Sequence, residues 1–195
     1  MQARLATAAD TDEVVQTLAE AFYNDPVWGW AFDDDDRRLA QHSAWFTLAV
    51  TSGVGNQSVW TTPGHEAVSV WVPPGCDEFS PADEAAFVPT LEAVVGARMT
   101  LLTDVFHCFE LARPQEEHHY LSLLAASPRH RGEGHGMRLL AENLAQIDAV
   151  GGPAYLESTN PANLKRYESV GFEVSGSFDL PEGGPTVTTM WRAAR

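Results

Sequence analysis

The stretch "RHRGEGHGMRLL", which occupies residues 129–140, most strongly limits how this chain folds. Three glycines stand at every second position, between an apolar run that is typical of a strand and an apolar run that is typical of a helix. Glycine permits positive φ and lets a ligand approach the backbone closely. A helix N-terminus offers unpaired N–H groups and the positive end of the helix dipole. The stretch therefore predicts a strand–loop–helix unit that holds an anion such as phosphate.

Other phosphate-binding loops fit this stretch poorly. A Walker loop requires Gly-Lys-Ser/Thr, which is missing here, and a dinucleotide fingerprint requires a glycine where Met137 stands. A nucleotide-binding enzyme is thus a distant alternative. A glycine-rich turn without any ligand is disfavoured, because glycine lowers stability where nothing requires it.

The predicted elements around this loop follow an α/β order. Helical periodicity favours helices over residues 11–23, 37–52, 134–149 and 162–169, with two more within 80–112. Strands are predicted over residues 58–61, 67–72, 120–126, 154–158, 172–177 and 186–191. The segment VWGWAF at 27–32 is interpreted as an aromatic loop, and the acidic run 33–36 as a solvated helix start. The length of 195 residues predicts a single domain over 1–195.

Composition and charge exclude several classes of partner. The net charge is −15 with a single lysine, so nucleic acid and anionic membranes should be repelled and a cationic small molecule attracted. No N-terminal signal core and no membrane-length apolar run is present, which indicates a cytoplasmic protein. Cys76 and Cys108 lack metal-binding spacing, so no metal is expected. The composition, rich in Ala and Arg with almost no Lys, indicates a bacterial source with a GC-rich genome.

Two motifs together resemble one family. The segment 131–136 resembles the Q/R-x-x-G-x-G/A signature of the GNAT acyl-CoA N-acyltransferases, and "YLESTNPANLKRYESVGFEV" (155–174) resembles that family's Asn-x-x-x-Tyr-x-x-x-Gly-Phe segment. The segments "AFYNDPVWGWAF", "VWVPPG" and "LPEGGPTVTTMWR" are similar to the puromycin N-acetyltransferase-like branch from actinobacteria. The resemblance implies a mixed, mostly antiparallel sheet with a V-shaped splay between two parallel strands. It also implies helices on both faces and an extra helical insertion before the fourth strand.

The resemblance further implies acetyl-CoA as the acyl donor. Its pyrophosphate would lie on the glycine loop, and its pantetheine arm would pair with the strand before the loop. The cofactor-binding residues implied in this way are Leu124, Ala125, Ala126, Arg131, Gly132, Glu133, Gly134, His135, Gly136 and Asn163. The His135 side chain is expected to point to solvent beside the cofactor.

The chemistry of amide formation assigns further roles. A strand N–H, from Leu124 or Ala126, would hold the oxyanion, and Tyr167, matching the family's tyrosine, would protonate the leaving thiolate. The alternative for Tyr167 is a core aromatic residue, because it shares helical spacing with apolar neighbours. Glu157 is the candidate base, acting through a water, and its alternative is a structural carboxylate.

The acceptor should bind near the first helix, the aromatic segment and the insertion. A flat basic acceptor suits aromatic faces beside carboxylates, although the two tryptophans could instead be packing residues. The candidate substrate-binding residues are Tyr23, Asn24, Asp25, Trp28 and Trp30. The resemblance implies acetyl transfer to a primary amine of a small molecule, with an aminonucleoside antibiotic as the favoured class, by a monomer or homodimer. The alternatives are a non-catalytic acyl-CoA-binding module and a protein N-acetyltransferase.

Overall fold

Seven strands form one mixed sheet in the computed structural model, which describes residues 2–79 and 81–195. The strands are β1 (Arg4–Leu5), β2 (Val59–Thr61), β3 (Ala67–Val72), β4 (His119–Ala126), β5 (Ala154–Ser158), β6 (Glu173–Asp179) and β7 (Thr186–Arg192). Their order across the sheet is β1-β2-β3-β4-β5-β7-β6. Only the pairing of β4 with β5 is parallel, and all other neighbouring strands are antiparallel.

Helices cover both faces of this sheet. They are α1 (Thr11–Phe22), α2 (Pro26–Ala31), α3 (Arg38–Gly55), α4 (Pro81–Val95), α5 (Met99–Ala112), α6 (His135–Val150) and α7 (Leu164–Glu168). One apolar core joins α1 and α3 to Val68 and Val70 of β3. A second core joins α6 to Trp71 of β3 and Leu156 of β5 on the other face. The predicted α/β fold, with its helical insertion of α4 and α5 before β4, is thereby confirmed.

The parallel pair β4–β5 opens into the predicted splay. The ladder runs only from the His119–Ala154 pair to the Leu121–Leu156 pair, whereas both strands continue beyond it. On its other side, β4 has a bulge, because Val70 pairs with Leu123 and Trp71 with Leu121. A bulge adds one residue to a strand and changes which face the following side chains occupy. Leu121 accordingly packs in the second core and Leu123 in the first.

The aromatic segment is a helix rather than the predicted loop. Asp25 begins α2 as its N-cap, accepting hydrogen bonds from the amides of Val27 at 3.0 Å and Trp28 at 3.3 Å. Pro26 occupies the first helical turn, where its missing N–H is no loss. The loop prediction was wrong because α2 is only six residues long. A helix of this length is too short to show the apolar periodicity from which helices are predicted.

No helix in the described part of the chain has the length and apolar character needed to cross a membrane.

Candidate active site

A cavity of about 90 Å³ lies where β4 and β5 separate. Its floor comes from residues 120–124 of β4 and residues 156–159 at the end of β5. Its wall is largely aromatic and comes from the helices and the segment before α4, with Phe22, Trp28, Trp45, Phe79, Phe106 and Phe109. A mainly apolar cleft with a few polar groups at one end is the usual form of a small-molecule site.

The helical insertion is attached to the rest of the molecule through arginines. Arg98 donates from Nη2 to the Trp30 carbonyl at 2.5 Å and from Nε to the Ala31 carbonyl at 3.2 Å, at the C-terminal end of α2. Arg37 donates to the Val94 carbonyl at 2.9 Å. The Arg98 bonds attach the start of α5, which carries part of the aromatic wall, to α2, and the Arg37 bond attaches the end of α4.

Two amides of β4 face the splay. Just past the strand, the Ser127 amide donates to the Glu66 carbonyl at 2.8 Å, and the register continues with Ala125 opposite Val68. Hydrogen-bonding direction alternates along an antiparallel ladder. The amides of Leu124 and Ala126 therefore point away from β3, toward the gap beside β5. They are the two amides expected from the sequence to hold an oxyanion or a pantetheine arm.

The glycine loop meets the start of α6. Gly132 has φ of 88° and Gly134 has φ of 76°, a region that non-glycine side chains rarely adopt. Gly134 is the N-cap residue, so the free amides of the first turn lie directly after the loop. Arg131 and Glu133 are exposed beside it. This backbone fits a phosphate group, because the glycine turn leaves room for close approach and leads to the amides of the first helical turn.

His135 does not point to solvent, so that prediction was wrong. Its side chain is only 7% exposed, and Nε2 lies 2.9 Å from the Glu133 carboxylate. The Arg138 guanidinium donates to Nδ1 at 3.2 Å. Since arginine can only donate, Nδ1 accepts and Nε2 carries the proton given to Glu133. His135 thus supports the glycine loop through its contacts with Glu133 and Arg138. Hydrogen bonds from His135 and His130 lower the pKa of the Glu133 carboxyl.

The contacts of His135 also affect whether a metal ion could bind beside the glycine loop. His130, Glu133 and His135 lie within 4.8 Å of one another, close enough to share an ion. Both nitrogens of His135 are already engaged, with the proton on the nitrogen nearest Glu133. A metal there would have to displace that proton and reverse the contact with Arg138.

Glu157 is the most perturbed carboxylate of the cavity. Burial raises its pKa to about 7, although the Arg113 guanidinium and the hydroxyls of Tyr120 and Tyr155 oppose the rise. Its Oε1 atom is buried and has no hydrogen-bond partner in the described part of the chain. A buried carboxylate oxygen without a partner is costly, and such perturbed groups concentrate at functional sites.

Tyr167 lies on α7 at the border between the cavity and the second core. Its ring packs edge-on against Phe172 with a centroid separation of 6.2 Å, and the residue also lines the cavity. Burial raises the pKa of its hydroxyl to about 12, and the nearby Asp25 carboxylate adds to the rise. The Tyr167 ring therefore packs against the second core, as its helical spacing with apolar neighbours predicted, and the residue also borders the cavity.

Asn163, in the turn before α7, also lines the cavity. Its side-chain oxygen accepts a hydrogen bond from the Arg166 guanidinium at 3.1 Å.

The predicted acceptor residues divide into two groups. Asp25 and Trp28 line the cavity, and Asp25 also accepts from the Thr159 hydroxyl at 2.7 Å. Tyr23, Asn24 and Trp30 do not line it, contrary to prediction. Tyr23 instead donates to the Asp35 carbonyl at 3.1 Å, and Trp30 packs against Gly184. Trp30 lies on the opposite side of α2 from Trp28, because residues two apart on a helix are separated by about 200° around its axis. Tyr23 and Asn24 precede α2, in the turn that joins it to α1.

A polar group that the sequence did not reveal completes the site. Arg113, at the end of α5, forms an ion pair with Glu78, which also accepts from the hydroxyl of Ser122 at the β4 bulge. The Arg113 guanidinium stacks over the Tyr120 ring at 4.2 Å. All four residues line the cavity. Glu78 and Arg113 are 35 residues apart in the chain, so no local pattern could have paired them.

Comparison with known proteins shows which fold this is. No protein-family model matches the chain. A structure of "histone acetyltransferase HPA2 and related acetyltransferase" from Corynebacterium glutamicum superposes with a TM-score of 0.73 at 26% identity, covering 100% of this chain and 96% of that one. The polyamine N-acetyltransferase of Drosophila melanogaster superposes with a TM-score of 0.68 at 12% identity, covering 98% and 99%. The arylalkylamine N-acetyltransferase 7 from Aedes aegypti, described as putative in its source, gives 0.61 at 13% identity, covering 98% and 86%. The chain has the GNAT acetyltransferase fold.

Proposed function

We propose that this protein is an N-acetyltransferase that moves an acetyl group from acetyl-CoA to a primary amine of a small molecule. The observation that carries this proposal is the place of Glu157, a cavity carboxylate whose pKa is raised to about 7, at the splay toward which two β4 amides point. The structural neighbours named for amine substrates support acetyl transfer to an amine. The puromycin-like resemblance makes an aminonucleoside antibiotic one acceptor within this class.

The chain offers a fitting place for each part of acetyl-CoA. The amides at the start of α6 and the glycines before it would hold the pyrophosphate. The amides of Leu124 and Ala126 would pair with the pantetheine arm. Arg131 and Arg138 add positive charge near the loop of an otherwise acidic protein, which an anionic cofactor requires.

In the proposed reaction, Glu157 and Tyr167 carry out the two proton transfers. Glu157 accepts a proton from the bound ammonium, directly or through a water, because only the neutral amine attacks a thioester. A β4 amide stabilises the oxyanion that forms on the acetyl carbonyl. Tyr167 donates a proton to the departing thiolate and regains one from the acylated nitrogen or from solvent. Direct transfer in a ternary complex needs no nucleophile from the protein.

The enclosed cavity favours a small acceptor over a protein. Its aromatic wall is closed by α5, which is held in place by Arg98 and Arg113, where a protein substrate would need an open groove. A non-catalytic acyl-CoA-binding module would need neither a carboxylate with a pKa of about 7 nor an aromatic acceptor cavity.

The test is thiol release from acetyl-CoA with a panel of amines that includes puromycin, agmatine and spermidine. Tyr167→Phe should lower kcat by about 10²- to 10³-fold with little change in acetyl-CoA affinity, as expected for loss of a general acid. Tyr23→Phe is the matched control. It removes a hydroxyl that lies outside the cavity and donates to the Asp35 carbonyl at 3.1 Å, so the proposed mechanism does not use it.

Two outcomes would count against the proposal. Tight acetyl-CoA binding with no acetylation of any amine would favour the binding-module alternative. Equal loss of kcat in both tyrosine variants would show a structural effect rather than loss of an acid.

A further inference from the structure

The carboxylate of Asp25 joins two parts of the cavity that are distant in the chain. Its Oδ1 atom accepts from the amides of Val27 and Trp28 at the start of α2. Its Oδ2 atom accepts from the hydroxyl of Thr159 at 2.7 Å, across 134 residues of sequence. Both oxygens are therefore engaged by donors of the protein itself.

Capping of α2 does not by itself explain why this residue is an aspartate. Asp25 is 9% exposed, and its hydrogen-bond donors among residues 2–79 and 81–195 are two amides and one hydroxyl, without an ion pair. A buried charge without a counter-ion lowers stability, and burial raises the pKa of the Asp25 carboxyl. Serine caps a helix about as well without that penalty, but it has only one oxygen. The second oxygen of Asp25 has a separate use, which is the bond to Thr159.

Thr159 begins the segment 159–163, which connects β5 to α7. The next residue, Asn160, accepts from the Ala162 amide through its side chain and from the Asn163 amide through its carbonyl, both at 3.0 Å. The connecting segment is thus a compact turn, and α7 follows it directly with Tyr167. A compact turn that is held at Thr159 also holds the helix that follows it.

The bond between Asp25 and Thr159 lies between the aromatic wall and the proposed general acid. Both residues line the cavity, as do Trp28 of α2 and Tyr167 of α7. Burial raises the pKa of the Tyr167 hydroxyl to about 12, and Asp25 is near enough for its charge to add to that rise. Misplacement of a reacting group by about 1 Å can lower a rate by about a hundredfold. A bond at this place can therefore affect the rate without touching the substrate.

From these observations, and resting on the proposed acetyl transfer, we infer that Asp25 is a positioning residue, which through Thr159 holds Tyr167 in place relative to α2. The wall that receives the acceptor and the hydroxyl that protonates the thiolate then keep one relative position. This role requires no contact between Asp25 and the acceptor.

The experiment breaks the bond from each side. Thr159→Val removes the hydroxyl with little change in size, and Asp25→Ser keeps an oxygen that caps α2 but leaves none for Thr159. Each of these two link variants is made alone and together with Tyr167→Phe, and thiol release from acetyl-CoA is measured with the amine that the wild type acetylates best. Thr186→Val is the matched control, because it removes a hydroxyl that donates to the Asp179 carboxylate at 2.6 Å, and neither residue lines the cavity.

Each link variant should lower kcat by about tenfold to hundredfold when Tyr167 is present, and by less than about twofold in the Tyr167→Phe background. A substitution that acts through one residue loses its effect when that residue is removed, whereas an independent effect is additive in free energy. Thr186→Val should leave kcat unchanged in both backgrounds. Equal losses with and without Tyr167 would overturn the inference, and so would an unchanged kcat in either link variant.

Failure of the proposed function would look different, because the wild type would then release no thiol with any amine. NMR spectra of the protein labelled with ¹³C-tyrosine decide the inference in that case. The chain has four tyrosines, and Tyr167→Phe identifies the ring signal of Tyr167 by its loss. A shift of this signal in the link variants but not in Thr186→Val supports the inference, and an unshifted signal overturns it. If one link variant does not fold, the other alone is compared with Thr186→Val in both measurements.

Discussion

At the scale of single residues, the pH response of this site depends on Glu157. Its pKa is raised to about 7 mainly by burial, while Arg113 limits the rise. A base with a pKa near the working pH combines an ionised fraction with useful basicity. The sequence identified Glu157 but could not separate a base from a structural carboxylate, because burial by other elements determines the pKa.

The expected result is a fall in kcat/KM as the pH drops through about 7, since protonated Glu157 cannot accept the ammonium proton. Glu157→Gln should lower kcat by about 10²- to 10⁴-fold and remove this limb of the profile. Initial rates between pH 5.5 and pH 9 check both effects, with a subsaturating amine for kcat/KM and a saturating amine for kcat. A limb that persists in Glu157→Gln would assign it to another group.

At the scale of elements, the glycine loop and α6 depend on backbone conformation. Gly134 has φ of 76° as the N-cap residue, and a Cβ there would lie 3.1 Å from Arg138 Nη1. Gly136 has no positive φ, and a Cβ there would meet Ala126 Cβ at an ordinary 3.5 Å. Of these two glycines, only Gly134 is required by the conformation of the folded backbone.

Gly134→Ala should lower the free energy of unfolding by about 1–2 kcal/mol, because an L-residue is strained at positive φ. Gly136→Ala, within the helix, should be neutral or stabilising by up to about 1 kcal/mol, because alanine favours helix. Urea unfolding of the two variants makes this comparison. Equal destabilisation by both variants would mean that steric crowding of the added methyl group, rather than the positive φ of Gly134, determines the stability of the loop.

At the scale of the whole molecule, the proposed site lowers the stability of the fold that carries it. Because the pKa of Glu157 is raised from its ordinary value of 4.5 to about 7, the folded state binds an extra proton between these values. The stability contributed by this group is therefore lost as the pH rises through that interval. Above pH 7 the whole penalty is present, and below about pH 4.5 it vanishes.

Glu157→Gln should consequently raise the free energy of unfolding by about 3 kcal/mol at pH 8, with the gain disappearing near pH 4.5. Denaturant unfolding at several pH values measures this difference. Glu168→Gln, at an exposed position of α7, is the control and should change stability little at any pH. A gain that does not depend on pH would contradict the assignment of the penalty to ionisation.

The sequence by itself determined the local features of this protein. The glycine loop, its flanking strand and helix, the Asn163–Tyr167 segment and the hairpin of β2 and β3 all follow from short-range periodicity and backbone preference. These signals are local, so they need no knowledge of distant residues. The same signals failed to predict α2, because this six-residue helix is marked by its N-cap residue Asp25 and by Pro26 rather than by apolar periodicity.

The tertiary structure alone decided which groups meet at the cavity. It buried His135 under the loop, turned Tyr23 and Trp30 away, and brought Glu78 together with Arg113 and Ser122 at the β4 bulge. It also raised the pKa of Glu157, which depends on exclusion of water by α5 and the sheet together. Burial and pairing of this kind are properties of the packed whole, as in the Glu78–Arg113 pair, whose members are 35 residues apart in the chain.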